Sequence, residues 1–192
     1  MKQIDPADTY CPKNRKAWRK WLEKNHQSRR SIWLMCRKAS FGTPNITWDE
    51  AVDEALCFGW IDSTKKTWDE EFFIQYFSRR KPKSTWSKIN KKKVNQLIAD
   101  NLMTPAGLEC IKIAKENGAW TMLDSVDDLI VPEDLEDVLV NTPGAKAFYE
   151  GLSDSKKKQL LVWILFAKQE QTRAKRVSKI AELAAKGEMP NI

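Results

Sequence analysis

Apolar residues recur along this chain in two rhythms, one of period two and one near 3.6, and the switches between them mark out the elements. Trp18, Trp21 and Leu22 fall at helical spacing behind Pro12, a residue suited to a first helical turn, so a helix is predicted over about residues 12–25. Over residues 31–38 the rhythm shortens. Ile32, Leu34 and Cys36 face one way and Trp33, Met35 and Arg37 the other, which is a strand. Thr47-Trp48-Asp49-Glu50 has the Ser/Thr-x-x-Glu spacing at which hydroxyl and carboxylate satisfy opposed backbone amides. It opens a helix that would bury Ala51, Val52, Ala55 and Leu56 and leave through a left-handed Gly59. Residues 60–67 and 72–78, rich in aromatic and β-branched side chains, flank an acidic turn at Asp69 and Glu70 and read as a hairpin.

Beyond residue 88 the period is helical throughout. Ile89, Val94, Leu97 and Ile98 mark one helix, and Thr104-Pro105 caps and starts the next, ending near Asn117-Gly118. Residues 118–131 read as an ordered loop, because Trp120, Met122, Leu123 and Leu129 need cover. Pro132 and Thr142-Pro143 start two short helices, and Ser153 caps one carrying Leu160, Leu161, Trp163 and Ile164. A last helix, about residues 170–186, places Ala174, Val177, Ala181 and Ala184 on one face. The predicted fold is α+β: a small, mainly antiparallel three-stranded sheet packed by helices, followed by a helical half. The expected division is a basic α+β domain over residues 1–118 and a helical region over 119–192 packed on it.

Composition narrows the class. At 192 residues, 42% hydrophobic and 31% charged, the chain has enough apolar material for a sizeable core and is not a disordered sequence. The net charge of +7 is uneven: residues 1–100 carry 21 Lys and Arg against 12 Asp and Glu, and residues 101–192 carry 12 against 14. Attraction for acidic partners therefore belongs to the first half. The first thirty residues contain no apolar signal region, and no apolar stretch reaches the roughly 18 residues of a membrane span. Four scattered cysteines without a C-x-x-C fit a reduced, cytoplasmic protein.

One segment is a candidate site. Eight of the fifteen residues from Arg79 to Lys93 are basic and none is acidic. Like charges this dense repel, so folding alone gives no reason to collect them, whereas an anion does. Arg79, Arg80, Lys83 and Lys88 are placed to contact phosphate, with Ser84, Thr85 and the first amides of the following helix adding hydrogen bonds. Trp86 is placed to stack on a base. The plain alternative is a solvated helix face with a solubilising loop; a third is a surface for an acidic protein or an anionic membrane. Trp60 and Asp62 share one side of the hairpin, where Asp62 would either meet a ligand or, as the favoured reading, pair with Arg79 or Arg80 and orient it.

Catalytic patterns are sparse. The single histidine, His26, sits at a helix end and reads as a cap; there is no Gly-x-Ser-x-Gly, Walker or Gly-x-Gly-x-x-Gly motif and no metal-ligand spacing. Asp53 and Glu54 are neighbours on one helix and do not converge on one atom. The four cysteines sit in apolar surroundings, and Cys57, between Leu56 and Phe58, reads as core. Of the nine tryptophans, Trp18, Trp21 and Trp163 read as core, and Trp60, Trp68 and Trp86 as candidates to line a pocket. Arg173 and Arg176 share a face and read as structural.

Several segments together resemble the YdeI/OmpD-associated family of bacterial proteins, also labelled bacteriocin-protection proteins. They are residues 48–63, from Trp48-Asp49-Glu50 through Gly59-Trp60-Ile61-Asp62-Ser63; residues 79–90; and Leu102-Met103-Thr104-Pro105-Ala106-Gly107-Leu108. The C-terminal part is Trp163-Ile164-Leu165-Phe166-Ala167-Lys168 with Glu170, Thr172, Arg173 and Arg176. The resemblance implies an envelope role by its label and carries over no catalytic residue. The functional expectation is a non-enzymatic cytoplasmic binding protein, without a cofactor or metal. It would hold an anionic, phosphate-bearing ligand, a small molecule or nucleic acid, at Trp60, Asp62, Arg79, Arg80, Lys83, Ser84, Trp86 and Lys88. The alternatives are an enzyme in the same groove with Asp62 as acid or base, and an interaction protein docking an acidic partner.

Overall fold

Alternation in the sequence becomes alternation in burial. In the computed structural model, which describes residues 5–191, the strands are β1 (Thr9–Tyr10), β2 (Ser31–Arg37), β3 (Trp60–Thr67) and β4 (Phe72–Arg79). They form one sheet in the order β1-β2-β4-β3. The pairs β2–β4 and β4–β3 are antiparallel, and β1 runs parallel to β2 with Thr9 opposite Trp33. The sheet is therefore four-stranded and mixed, a correction to the predicted three antiparallel strands. A two-residue strand is too short to show a period. It is held instead by tertiary contacts: the Tyr10 ring stacks on Trp21 at 5.6 Å, and its hydroxyl donates to the Ala17 carbonyl at 3.3 Å. The parallel step needs a crossover, which α1 (Arg15–Asn25) supplies.

One irregularity matters later. Asp62 stands opposite Phe77, yet three residues on Lys65 stands opposite Gln75, so β3 carries an extra residue between them. Lys65 thereby turns to the helix-covered side, where its Nζ lies 4.0 Å from the centre of the Phe73 ring, and Lys66 turns to the other.

Helices α1 and α2 (Trp48–Cys57) cover one face of the sheet. The capping box predicted at Thr47 and Glu50 is formed, and the Trp18 indole donates to the Ala51 carbonyl at 3.0 Å. Glu54, 4% exposed, accepts from Arg15 Nε at 2.6 Å and Arg19 Nη1 at 2.8 Å, while Arg19 Nη2 reaches the Leu102 carbonyl at 2.9 Å. That triad ties α1 and α2 to the loop between α3 (Lys88–Ala99) and α4 (Pro105–Glu116). In α3, Val94 and Leu97 are buried while Ile89 and Ile98 are exposed. Helix α4 approaches α2 so closely that a Cβ on Gly107 would lie 2.3 Å from the Cys57 carbonyl oxygen.

The chain divides into two compact units, up to Thr121 and from Met122. The second contains α5 (Asp124–Asp127), α6 (Glu133–Asn141), α7 (Ala145–Glu150), α8 (Asp154–Leu165) and α9 (Glu170–Ala184). Helix α5 falls within the stretch predicted as a loop. Val177, Ile180, Ala181 and Ala184 face the core of this unit, and Ala174 is exposed, against expectation. Arg173 of α9 forms a two-pronged pair with Asp134 of α6, at 2.6 and 2.8 Å. No helix among the described residues is long and apolar enough to cross a membrane.

Candidate functional site

The basic run begins as a bolted turn. The Arg80 amide donates to the Gly59 carbonyl at 2.9 Å, and Ser84 N to the Lys81 carbonyl at 2.8 Å. The Ser84 hydroxyl accepts from Lys81 N at 3.1 Å, and Asn117 Nδ2 donates to the Pro82 carbonyl at 2.8 Å. Gly59 joins the hairpin to α4: its φ is +72°, and a Cβ there would meet the Cys110 sulfur at 2.5 Å. Ser87 then caps α3, of which Lys88 is the first residue.

Inside this turn Arg80 is only 9% exposed. Its guanidinium lies 3.6 Å from the centre of the Trp86 ring, and Nη1 donates to the Thr85 carbonyl at 3.1 Å. Its Nε is buried and has no hydrogen-bond partner among the described residues. Burial lowers the guanidinium from its ordinary 12.5 to about 10, with smaller opposing contributions from Cys110 and Asp62. Beside it is a cavity of about 40 Å³, lined by Arg80, Lys81, Pro82, Trp86, Cys110 and Ile113. That space admits a few oxygen-sized atoms and no aromatic ring.

The predicted site residues do not converge on one groove. Trp60 is fully buried, with its indole donating to the His26 carbonyl at 3.3 Å. Asp62 accepts from the Trp48 indole at 2.9 Å and Gln75 Nε2 at 3.1 Å, rather than from Arg79 or Arg80. Neutral donors hold it because α2 begins above this end of the hairpin, a long-range placement. Arg79, on the surface, donates from Nε to the Arg29 carbonyl at 2.7 Å and from a terminal nitrogen to the Gln27 carbonyl, so it secures the α1–β2 loop. Trp86 is 2% exposed, with Arg80 over its ring and Trp120 at 5.0 Å. No base can stack on it. What remains together is Arg80, the exposed Lys81 and Lys83, and the partly exposed Ser84.

The tryptophans divide partly as expected: Trp18 is core, Trp21 packs against it and Trp68 is exposed, but Trp60, Trp86 and Trp163 depart from the reading. Trp60 and Trp86 are core with Trp18, while Trp48 and Trp68 are 46% and 40% exposed. Trp163 is partly exposed and lines a hollow of the second unit, about 830 Å³, with Val162, Phe166, Lys158 and Arg176 among its walls. The Arg176 guanidinium lies 5.2 Å from the Trp163 ring and donates to the Trp163 carbonyl. His26 is the C-cap of α1. Burial pushes the Cys36 thiol up to about 12 and Cys57 to about 11, so neither is a nucleophile. Cys11, expected in apolar surroundings, is exposed.

The fold thus defines a two-unit α+β protein whose first unit holds a buried arginine without an ion-pair partner among the described residues. Residues 10–110 match the family described as Domain of unknown function (DUF8412), and as this covers more than half of the chain, the protein belongs to that family. Residues 128–187 match Bacteriocin-protection, YdeI or OmpD-Associated, the family the sequence resembles, and that match lies within the second unit. The Trp163–Arg176 signature lies inside this match, and residues 48–63, 79–90 and 102–108 lie inside the first. No curated protein and no solved structure matches the chain.

Proposed function

We propose that this is a cytoplasmic, non-enzymatic binding protein whose ligand presents an oxyanion, a terminal phosphate or a carboxylate, to Arg80. The observation that carries the reading is the buried Arg80 guanidinium with an unpartnered Nε beside a small cavity. A buried charge without a counter-ion is costly, and an anion that supplies one gains what the empty protein lacks. Lys81 and Lys83 stand exposed on the same turn and would draw the anion in, and the Ser84 hydroxyl has a proton to offer it. The cavity's size selects the end of a ligand, two or three oxygens, with the rest of the molecule outside. Trp60, Asp62 and Arg79 have no part in this smaller site.

The test is a thermal-shift panel of phosphate, sulfate, carboxylates, nucleotides and sugar phosphates at constant ionic strength. At least one oxyanion should raise the melting temperature in the wild type and leave Arg80→Met unmoved. Should no oxyanion stabilise the wild type, or should the shift persist in Arg80→Met, the proposal fails.

A further inference from the structure

The sheet has a second face, and nothing described so far uses it. Register sets Trp33 opposite Tyr76 and Met35 opposite Ile74 on β2 and β4. Trp33, Met35 and Tyr76 belong to neither hydrophobic cluster, whereas Ile74 between them is 1% exposed, covered by its neighbours on this face. Trp33, Met35 and Tyr76 remain partly exposed in the whole chain. The Trp33 and Tyr76 ring centres are 4.9 Å apart at 59°, so two tilted aromatic surfaces stand side by side on adjacent strands. The extra residue in β3 brings the exposed Lys66 onto this face, opposite Ile74, with its Nζ 5.2 Å from the Trp33 ring centre. Arg37, at one end, reaches over Phe72 and is paired with Glu71 at 2.7 Å. No Asp or Glu stands among the strand residues that share this face.

We propose that this face binds single-stranded nucleic acid, with bases stacking on Trp33 and Tyr76 and a backbone phosphate on Lys66. An apolar protein partner would have to strip water from the Lys66 ammonium without repaying it. A strand of bases and phosphates matches both halves of the surface: each base has a π-face for a ring, and each phosphate a charge for a lysine. Paired strands of a sheet space aromatic rings suitably for neighbouring unstacked bases, whereas a duplex keeps its bases stacked on one another. Arg29 and Arg30, just before β2, are exposed, and Arg29 stands 3.9 Å from the Asp8 carboxylate. This binding is independent of Arg80, whose cavity holds a few atoms only.

The experiment is fluorescence anisotropy of the full chain with a labelled 12-residue oligothymidylate, at several salt concentrations. Trp33→Leu and Tyr76→Leu keep apolar cover and remove the ring; each should weaken binding by about tenfold. Lys66→Gln should lower the salt dependence by about one charge. Arg80→Met should leave this binding unchanged, which separates it from the anion site. Thermal melts of both leucine variants run alongside, and if either unfolds early the Lys66→Gln salt slope decides. The proposal is overturned by absence of binding at low salt, by equal affinity for duplex, or by affinity indifferent to both rings. A dimer dissolved by Trp33→Leu, with no oligonucleotide bound, would instead assign the face to a second copy of the chain.

Discussion

At the scale of the residue, the first unit holds two buried charges with opposite fates. Glu54 is buried with two arginines on its two oxygens. Arg15 and Arg19 keep 36% and 27% of their side chains exposed and can be rehydrated once the Glu54 charge is gone, so Glu54→Gln should cost about 1–3 kcal/mol in urea unfolding. Arg80 has no such partner. Arg80→Met, similar in length and apolar, should leave the ligand-free melting temperature equal or higher while abolishing the oxyanion shift. Calorimetry with and without the oxyanion checks both halves. Arg80 was legible in the sequence as part of a cationic run, but its burial was not: seven of its basic companions dilute the signal, and the cover comes from Trp86 and a turn fastened by Asn117. The same reason explains the misread tryptophans. Neighbours in sequence made Trp60 and Trp86 look polar, whereas partners such as His26, Trp21 and Trp120 enclose them from far along the chain.

Elements were read more faithfully than sites. Period and caps suffice for β2, the hairpin and the long helices, because hydroxyl, carboxylate, proline and glycine act within a few residues of where they stand. What local chemistry misses is a strand such as β1, made by its partners, and a close approach such as that of α4. Gly59 shows how tightly elements meet. Gly59→Ala would combine a left-handed backbone unfavourable to alanine with a Cβ pressed on the Cys110 sulfur. The single variant should lose several kcal/mol of stability. In Gly59→Ala with Cys110→Ala the sulfur contact is relieved, but the Ala106 carbonyl at 3.1 Å and the backbone strain are not, so at least about 1–2 kcal/mol of the loss should remain. Chemical denaturation of the three variants tests this; additive losses would show that the contact plays no part.

Across the whole molecule, charge and acid response are unevenly shared. The Arg173 guanidinium holds the Asp134 carboxyl below its ordinary 3.8, with burial partly opposing it. Between that folded value and 3.8 the unfolded chain binds more protons. The pair's contribution is therefore full above about pH 3.8 and is lost as the pH falls through the folded value. Helical signal from the second unit should fade over that acidic window, and Asp134→Asn should flatten the dependence in pH-jump circular dichroism. An unchanged acid limb would show the pair to be idle.

The extra residue in β3 also bears on how this surface tolerates insertion and deletion. Without it Lys65 would stand opposite Ile74 and Lys66 opposite Phe73, the two exchanging sides of the sheet. Because adjacent positions carry the same residue type, either phasing presents one ammonium to each side. A slip or a one-residue length change in this hairpin would reverse the identity of every other side chain downstream and still preserve the pattern of charge. Two lysines in succession act as an error-correcting repeat, and the electrostatics of both faces are buffered against a change of frame in the strand.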